Sequence, residues 1–403
     1  MNLTTCQLCG SNRLTPIIDL GQHPLADYFL SKDDLATPEQ KFPLRMVLCG
    51  ECSHTMLDYS VPPEARYQAH AYSYTASNSK ASIAHFDELA EAVIARAGLG
   101  AGDMVVDIGS NDGTLLSKFK ERAGCDIVGV DPAPNIVAMA LERGIPTLQT
   151  FFTAAVAADI VARGKKAKAI LSTNTFNHIT DLTDFMRGIE SLLADDGVFV
   201  FEVPYFFDLV KQRAFDTIYL EHIFYFNVKP FKRFFAKYGL HIQGLERTPY
   251  MGGSIRVFVG REPSPRGLVE SYIKAEEDAA LHLPDTYEQF MQDVRGLKER
   301  LLADITAIKK QGARIIGIGA AAKGNTLLNY CGINATVLDF ISDSSPLKIG
   351  KYTPGSRIPI LPDEAITDEV THALILPWNI ADLLMKKLAR PGLSFIVPHI
   401  NTQ

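Results

Sequence analysis

Two groups of residues in this chain could do chemistry together. One is the run Asp107-Ile108-Gly109-Ser110-Asn111-Asp112-Gly113, a glycine turn after a short apolar stretch; the other, further along, is Tyr219-Leu220-Glu221-His222. A glycine turn between a strand and a helix is a common form of nucleotide-type cofactor loop. Histidine titrates closer to neutral pH than any other unperturbed side chain, so it can take or give a proton there. In this order the two groups point to an enzyme in which His222 moves a proton beside a bound cofactor.

The turn chemistry narrows the cofactor. A dinucleotide fingerprint reads G-x-G-x-x-G, its glycines letting a pyrophosphate approach a helix N-terminus. Here the pattern is Gly109-x-x-x-Gly113, and Asp107 sits in the strand just before it. An acidic loop suits S-adenosylmethionine, which carries an ammonium and a sulfonium and no phosphate. Asp131, 22 residues past Gly109, falls at the end of the next strand, where an acid meets ribose hydroxyls in nucleotide folds. Asn111 and Asp112 complete the expected cofactor loop. The competing reading makes Asp112 and Asp131 turn and cap residues only.

Four of the six cysteines form two matched pairs, Cys6-Gln7-Leu8-Cys9 and Cys49-Gly50-Glu51-Cys52, separated by 39 residues. Two such pairs offer four thiolates at tetrahedral spacing, with Gly10 and Gly50 free to turn backbone N–H groups toward sulfur. A redox motif needs only one pair, so the expected ligand is Zn2+. With every position filled by sulfur the ion has no place for water, and its role is structural. His23 and His54 lie nearby but are poorer candidates than the thiols.

These groups must be positioned by alternating strands and helices. Lys80 to Ala97 shows a helical face of Ile83, Phe86, Leu89 and Val93, ended by Gly98. Strands are expected at 104–108, 126–130, 168–172 and 198–202, and such alternation predicts a parallel sheet with helices on both faces. Two further strands, around 240–246 and 255–260, have too short a link for a crossover helix, so they pair antiparallel. That pattern is the α/β fold of a class I methyltransferase, with a seven-stranded sheet. Thr173 to His178 follows a strand at the carboxyl edge of the sheet, where ligands gather. Asn174 is placed to meet the cofactor and Phe176 and His178 the substrate, with His178 a second candidate base.

Length and charge bound the rest. At 403 residues the chain suits two or three domains. Its 40 basic and 46 acidic residues leave a formal charge of −6 without a Lys/Arg-rich run, which argues against a nucleic-acid partner. No apolar run approaches the length of a membrane span, and no secretory leader opens the chain. A cytoplasmic monomer is expected.

The cysteine pairs, the DIGSNDG turn, the Tyr-x-Glu-His element and Gly252-Gly253-Ser254-Ile255-Arg256 together resemble the sugar C-methyltransferases that make branched deoxysugars on nucleotide carriers. The resemblance spans nearly the whole chain. It implies a zinc-binding domain (1–65), an S-adenosylmethionine domain (66–262) and a helical linker with a C-terminal Rossmann-like domain (263–403) that helps hold a nucleotide-sugar. It implies methylation of a ring carbon beside a ketone, often carbon 3 of a 4-keto sugar, with a dTDP carrier expected. It places Tyr219 and Glu221 beside the sugar and lets Tyr72 or Tyr74 close over it. In a plain strand Tyr219 and Glu221 would face away from His222, so the three can meet one substrate only if this segment bends.

The C-terminal part reads as a helical stretch broken near Leu283-Pro284, then a strand and glycine loop from Arg314 to Asn325. Gly317-x-Gly319 with Asp339 beyond it could alternatively serve a dinucleotide in an NAD-dependent oxidoreductase. The third glycine is displaced, however, and Lys323 at a helix N-terminus suits the pyrophosphate of a substrate. Asn325, Lys348, Lys351 and Arg256 are further candidates for substrate contact. A zinc-containing binding module without catalysis is the non-enzymatic alternative.

Overall fold

The structure, a computed structural model, describes residues 1–398. Strands β1 (Leu14–His23), β2 (Phe42–Cys49) and β3 (Thr55–Leu57) form an antiparallel sheet beside the cysteine pairs. The central part contributes β4 (Met104–Ile108), β5 (Asp126–Asp131), β6 (Thr147–Gln149), β7 (Ala167–Thr173), β8 (Leu193–Pro204), β9 (Phe224–Tyr225), β10 (His241–Thr248) and β11 (Ser254–Gly260). All but β9 join one seven-stranded sheet in the order β10-β11-β8-β7-β4-β5-β6. β11 runs antiparallel to both neighbours, so the expected hairpin closes an otherwise parallel sheet.

The central strands are apolar on both faces, as a sheet covered by helices on both sides requires. Val105, Val106, Ala169, Ile170 and Phe199 are completely buried. The helix Lys80–Ala97 starts where the Ser79 side chain accepts the Ser82 N–H and stops at Gly98 in the left-handed conformation (φ 58°). The C-terminal part adds helices Leu268–Asp278 and Asp285–Lys310, separated at the expected break. It ends in a parallel five-stranded sheet made of β12 (Arg314–Ile318), β13 (Ile341–Ser342), β14 (Ile360–Leu361), β15 (Val370–Ile375) and β16 (Ser394–Ile396). Among the described residues, no helix is long and apolar enough to cross a membrane.

One strand departs from the simple three-part division. β9, which directly follows the Tyr219–His222 segment, pairs with β3 and extends the sheet of the cysteine module (Thr55 opposite Tyr225, Met56 opposite Phe224). The segment is thereby strung between two sheets.

Candidate active site

The four cysteine sulfurs all lie within 4.8 Å of one another. Cys6 and Cys52 are 3.6 Å apart, as are Cys9 and Cys49, close to the roughly 3.8 Å edge of a zinc tetrahedron with bonds of about 2.3 Å. Gly10 N–H donates to the Cys6 carbonyl and Ser53 N–H to the Cys49 carbonyl, folding both knuckles around the sulfurs. The donor set fits zinc and fills its coordination. His23 is instead spent on the Leu20 carbonyl, and His54 stacks on Phe226 behind the cluster.

A cavity of about 500 Å³ opens at the carboxyl edge of the central sheet. Of the residues singled out in the sequence, Asp107, Gly109, Asn111, Asp131, Asn174, Tyr72, Tyr74, His178, Tyr219, Glu221, His222 and Lys323 all line it. On the cofactor side, Asp107 is the penultimate residue of β4 and almost wholly buried, and its Oδ1 finds no partner among the described residues. Burial, with Asp131 close by, pushes its carboxyl up to about 7. Asp131, pushed by burial to about 6, accepts N–H groups from Asn111 and Ala133. Two under-compensated acids in a desolvated pocket favour a cationic ligand. Gly109 has φ 75°, and a Cβ there would run into Thr175, so only glycine keeps this floor open.

The bend the sequence demanded is present. His222 N–H donates to the Tyr219 carbonyl across a tight turn (3.0 Å), which brings the two rings to 3.9 Å centroid separation. Glu221 Oε1 accepts the Asp27 main-chain N–H at 2.9 Å, while Oε2 has no partner among the described residues. Burial pushes Glu221 up to about 7 and His222 down to about 3. His178 packs edge-on against His222 (4.8 Å), with its Nδ1 2.6 Å from the Tyr67 hydroxyl. The Thr217 carbonyl is the leading group that opposes the fall for His222. His222 Nδ1 is buried without a partner among the described residues, and a neutral imidazole keeps one ring nitrogen as an acceptor.

Seven candidates stand elsewhere, among them Lys348, whose ammonium donates to the Ala320 carbonyl. Phe176 is completely buried, 5.1 Å from Phe226 and 4.7 Å from Phe201, because a large ring gains more in the aromatic core than in a wet pocket. Arg256 is buried on β11, bonded to Glu202 and to Glu88 and Glu246, so its charge is consumed within the sheet. Asp112 accepts the Thr114 N–H and hydroxyl at the start of the helix Thr114–Ala123 and latches Ser77 and Arg143. Gly113 packs against Ile145, which leaves no room for a Cβ. Asn325 donates to the Ala26 carbonyl. Lys351 is half-buried beside β14 and outside the cavity wall. Asn111 does double duty, since its side chain also clamps Tyr74 and Ala76.

The sequence reading missed Asp27, Tyr67 and Thr217 on the same wall. The dinucleotide alternative loses its acid: Asp339 precedes β13, at the opposite end from the glycine loop, and is paired with Arg314. Pro377 fills the space over Gly319. Lys323, in the first turn of the helix Ala322–Cys331, reaches the Met251 carbonyl and Asn379 and lies 5.0 Å from the Trp378 ring.

A parallel sheet closed by one antiparallel strand, with an acidic cofactor loop at its carboxyl edge, defines the class I methyltransferase fold, and its cofactor is S-adenosylmethionine. Residues 83–244 match the methyltransferase domain family, 6–67 a zinc binding domain and 249–399 the C-methyltransferase C-terminal domain. Over 400 residues the chain is 34% identical to C-methyltransferase NovU of Streptomyces niveus, covering 98% of this chain and 94% of that protein. The protein therefore belongs to the C-methyltransferase family and is an S-adenosylmethionine-dependent C-methyltransferase with a zinc-binding domain. A ubiquinone biosynthesis O-methyltransferase of Azorhizobium caulinodans is 29% identical over 100 residues, 25% of this chain and 39% of that one. A solved S-adenosylmethionine-dependent methyltransferase from Clostridium acetobutylicum superimposes with a TM-score of 0.34 at 10% identity, over 44% of this chain and 91% of that one.

Proposed function

We propose that the protein methylates a ring carbon beside a ketone on a deoxysugar carried by a nucleoside diphosphate, carbon 3 of a 4-keto sugar on dTDP being the specific form. The observation that carries this reading is the convergence of Glu221 and His222 on the cavity that also holds Asp107 and Asp131. Tyr72 and Tyr74 line the sugar side, and Lys323 from the C-terminal part offers a cation to a pyrophosphate.

When bound, S-adenosylmethionine supplies an electrophilic methyl group on a positively charged sulfur, held through Asp107, Asp131, Asn174 and the Gly109 turn. A C–H bond beside a ketone ionises only if the charge growing on oxygen is met by a donor. The reading puts the proton on Glu221, whose carboxyl burial pushes up, and the lone pair on His222, whose imidazole burial pushes down. A neutral carboxyl can donate to the ketone oxygen, as a buried acid kept protonated near neutrality does. His222 accepts the α-proton at a ring nitrogen, and the C–H electron pair moves into the enolate. The charge on the enolate oxygen is held by the Glu221 hydrogen bond and offset by the imidazolium. When the ring carbon gains its methyl, the electron pair of the methyl–sulfur bond stays on sulfur, the carbonyl re-forms under the Glu221 hydrogen bond, and His222 passes the α-proton to water.

Incubation with S-adenosylmethionine and a panel of 4-keto-sugar nucleotides should give a mass gain of one methyl on at least one sugar. Loss of α-proton exchange into heavy water in His222→Asn, with cofactor affinity kept, is the expected signature of the base. Wild-type exchange in that variant would remove His222 from the role.

A further inference from the structure

Asp27 belongs to the cysteine module, in the segment after β1, yet it lines the cavity with Glu221. Nothing in the reaction described above uses it. Its main-chain N–H donates to Glu221 Oε1, its Oδ1 accepts the Ser73 hydroxyl at 2.8 Å, and its Oδ2 has no partner among the described residues. The segment is held from the C-terminal side as well, since Asn325 Nδ2 donates to the Ala26 carbonyl at 2.7 Å. Two buried carboxyls thus meet in one desolvated wall, each with one oxygen engaged and one left over.

We propose that Asp27 is the positioning residue for Glu221: its N–H fixes one carboxyl oxygen, and its own carboxyl, pinned by Ser73, supplies a like charge that keeps the proton on Glu221. The inference rests on the reading of Glu221 as the acid of the proposed reaction. Like charges that cannot both ionise in a dry site share a proton, and the pair titrates as a unit.

The surrounding charges set the balance. Lys348 and Lys351 from the C-terminal part oppose the rise of Asp27, while burial is its leading cause. Arg66, from the helix Pro63–Tyr67, donates to the Glu221 main-chain carbonyl and leaves the carboxyl alone. Tyr67, Tyr72 and Tyr219 face the pair and are held neutral by burial, and His222 stays neutral beside them. Burial is the leading cause of the rise of Glu221, the Asp27 main-chain N–H opposes it, and among these groups the Asp27 carboxylate is the charge that adds to it. The cysteine module is therefore part of the active site as well as a stabilising unit.

The test needs no substrate. Infrared difference titration of the zinc-loaded, full-length protein should show a carboxyl that changes protonation near neutral pH and disappears in Glu221→Gln. In Asp27→Asn, which keeps the main-chain N–H, the midpoint should fall by about one pH unit, a roughly tenfold loss of proton affinity. Ser73→Ala, which loosens Asp27 without touching its backbone, should move it the same way by less, and it decides the matter if Asp27→Asn fails to retain zinc. An unchanged midpoint in both variants, or no Glu221-dependent titration in the wild type, overturns the proposal. Failure of the keto-sugar assay with this titration intact would instead remove the proposed substrate and leave the Asp27–Glu221 pair standing.

Discussion

Replacing Asp107 with asparagine should stabilise the ligand-free protein in a pH-dependent way while weakening its hold on the cofactor. Asp107 is 2% exposed and has one carboxylate oxygen without a partner among the described residues. Burial moves it from 3.8 in an unfolded chain to about 7 in the fold. Because the folded value is raised, the folded state holds a proton that the unfolded chain has lost, and stability falls as pH rises from 3.8 toward 7. At about 1.4 kcal/mol per unit, the penalty is roughly 1.6 kcal/mol at pH 5 and roughly 4 kcal/mol at pH 8. Asparagine cannot ionise, so whatever its amide costs at every pH, the variant should gain about 2–3 kcal/mol on wild type between those two conditions. Urea unfolding of the zinc-loaded protein at pH 5 and pH 8 measures that difference directly. Calorimetry should show S-adenosylmethionine binding weakened by about tenfold or more, the value of a lost charged hydrogen bond. A stability difference that stays constant across the two pH values would refute the buried-carboxylate reasoning, and unchanged affinity would remove Asp107 from the cofactor site.

Gly109→Ala places a Cβ against Thr175 at a residue with φ 75°, so cofactor binding should be lost while the zinc content stays at one per chain; wild-type affinity would contradict the close-packed floor. Cys49→Ala leaves three thiolates, and metal analysis should find zinc lost together with turnover, because Asp27 and the strand paired with β9 belong to the same module. Arg256→Ala strips the fully buried Glu202 of its guanidinium partner and leaves it only His85, and should cost about 1.5–3 kcal/mol in urea unfolding, the usual consequence of losing a hydrogen bond to a buried charged group. If that variant instead keeps full stability and loses only substrate affinity, Arg256 contacts the ligand after all.

The three-part organisation, the sheet ending in an antiparallel strand and the zinc cluster were legible because each is written in local signals: periodicity, a short link and matched cysteine spacing. The Tyr219–His222 turn was half legible. Its residue types suggested proton chemistry, but strand alternation would have separated Tyr219 from His222, and the segment turns just before β9 joins the neighbouring sheet. Phe176 and Arg256 misled for the opposite reason, since an aromatic or a cation near the sheet edge looks available until the core and the Glu202 network absorb it.

Asp27 had no local signal at all. It lies 194 positions from Glu221, in a segment whose neighbours Pro24, Leu25 and Ala26 read as packing, and no spacing rule joins a residue of a cysteine module to a methyltransferase wall. Its place is decided by three long-range bonds, to Glu221, to Ser73 and, through Ala26, to Asn325. Each of these comes from a different part of the chain. A buried acid that must hold its proton near neutrality needs a rigid like-charged neighbour, and a rigid neighbour is what a zinc-stapled module can supply where a free loop could not. On the proposed reaction, zinc bound to the four cysteines would act at one remove, by steadying the backbone that holds Glu221.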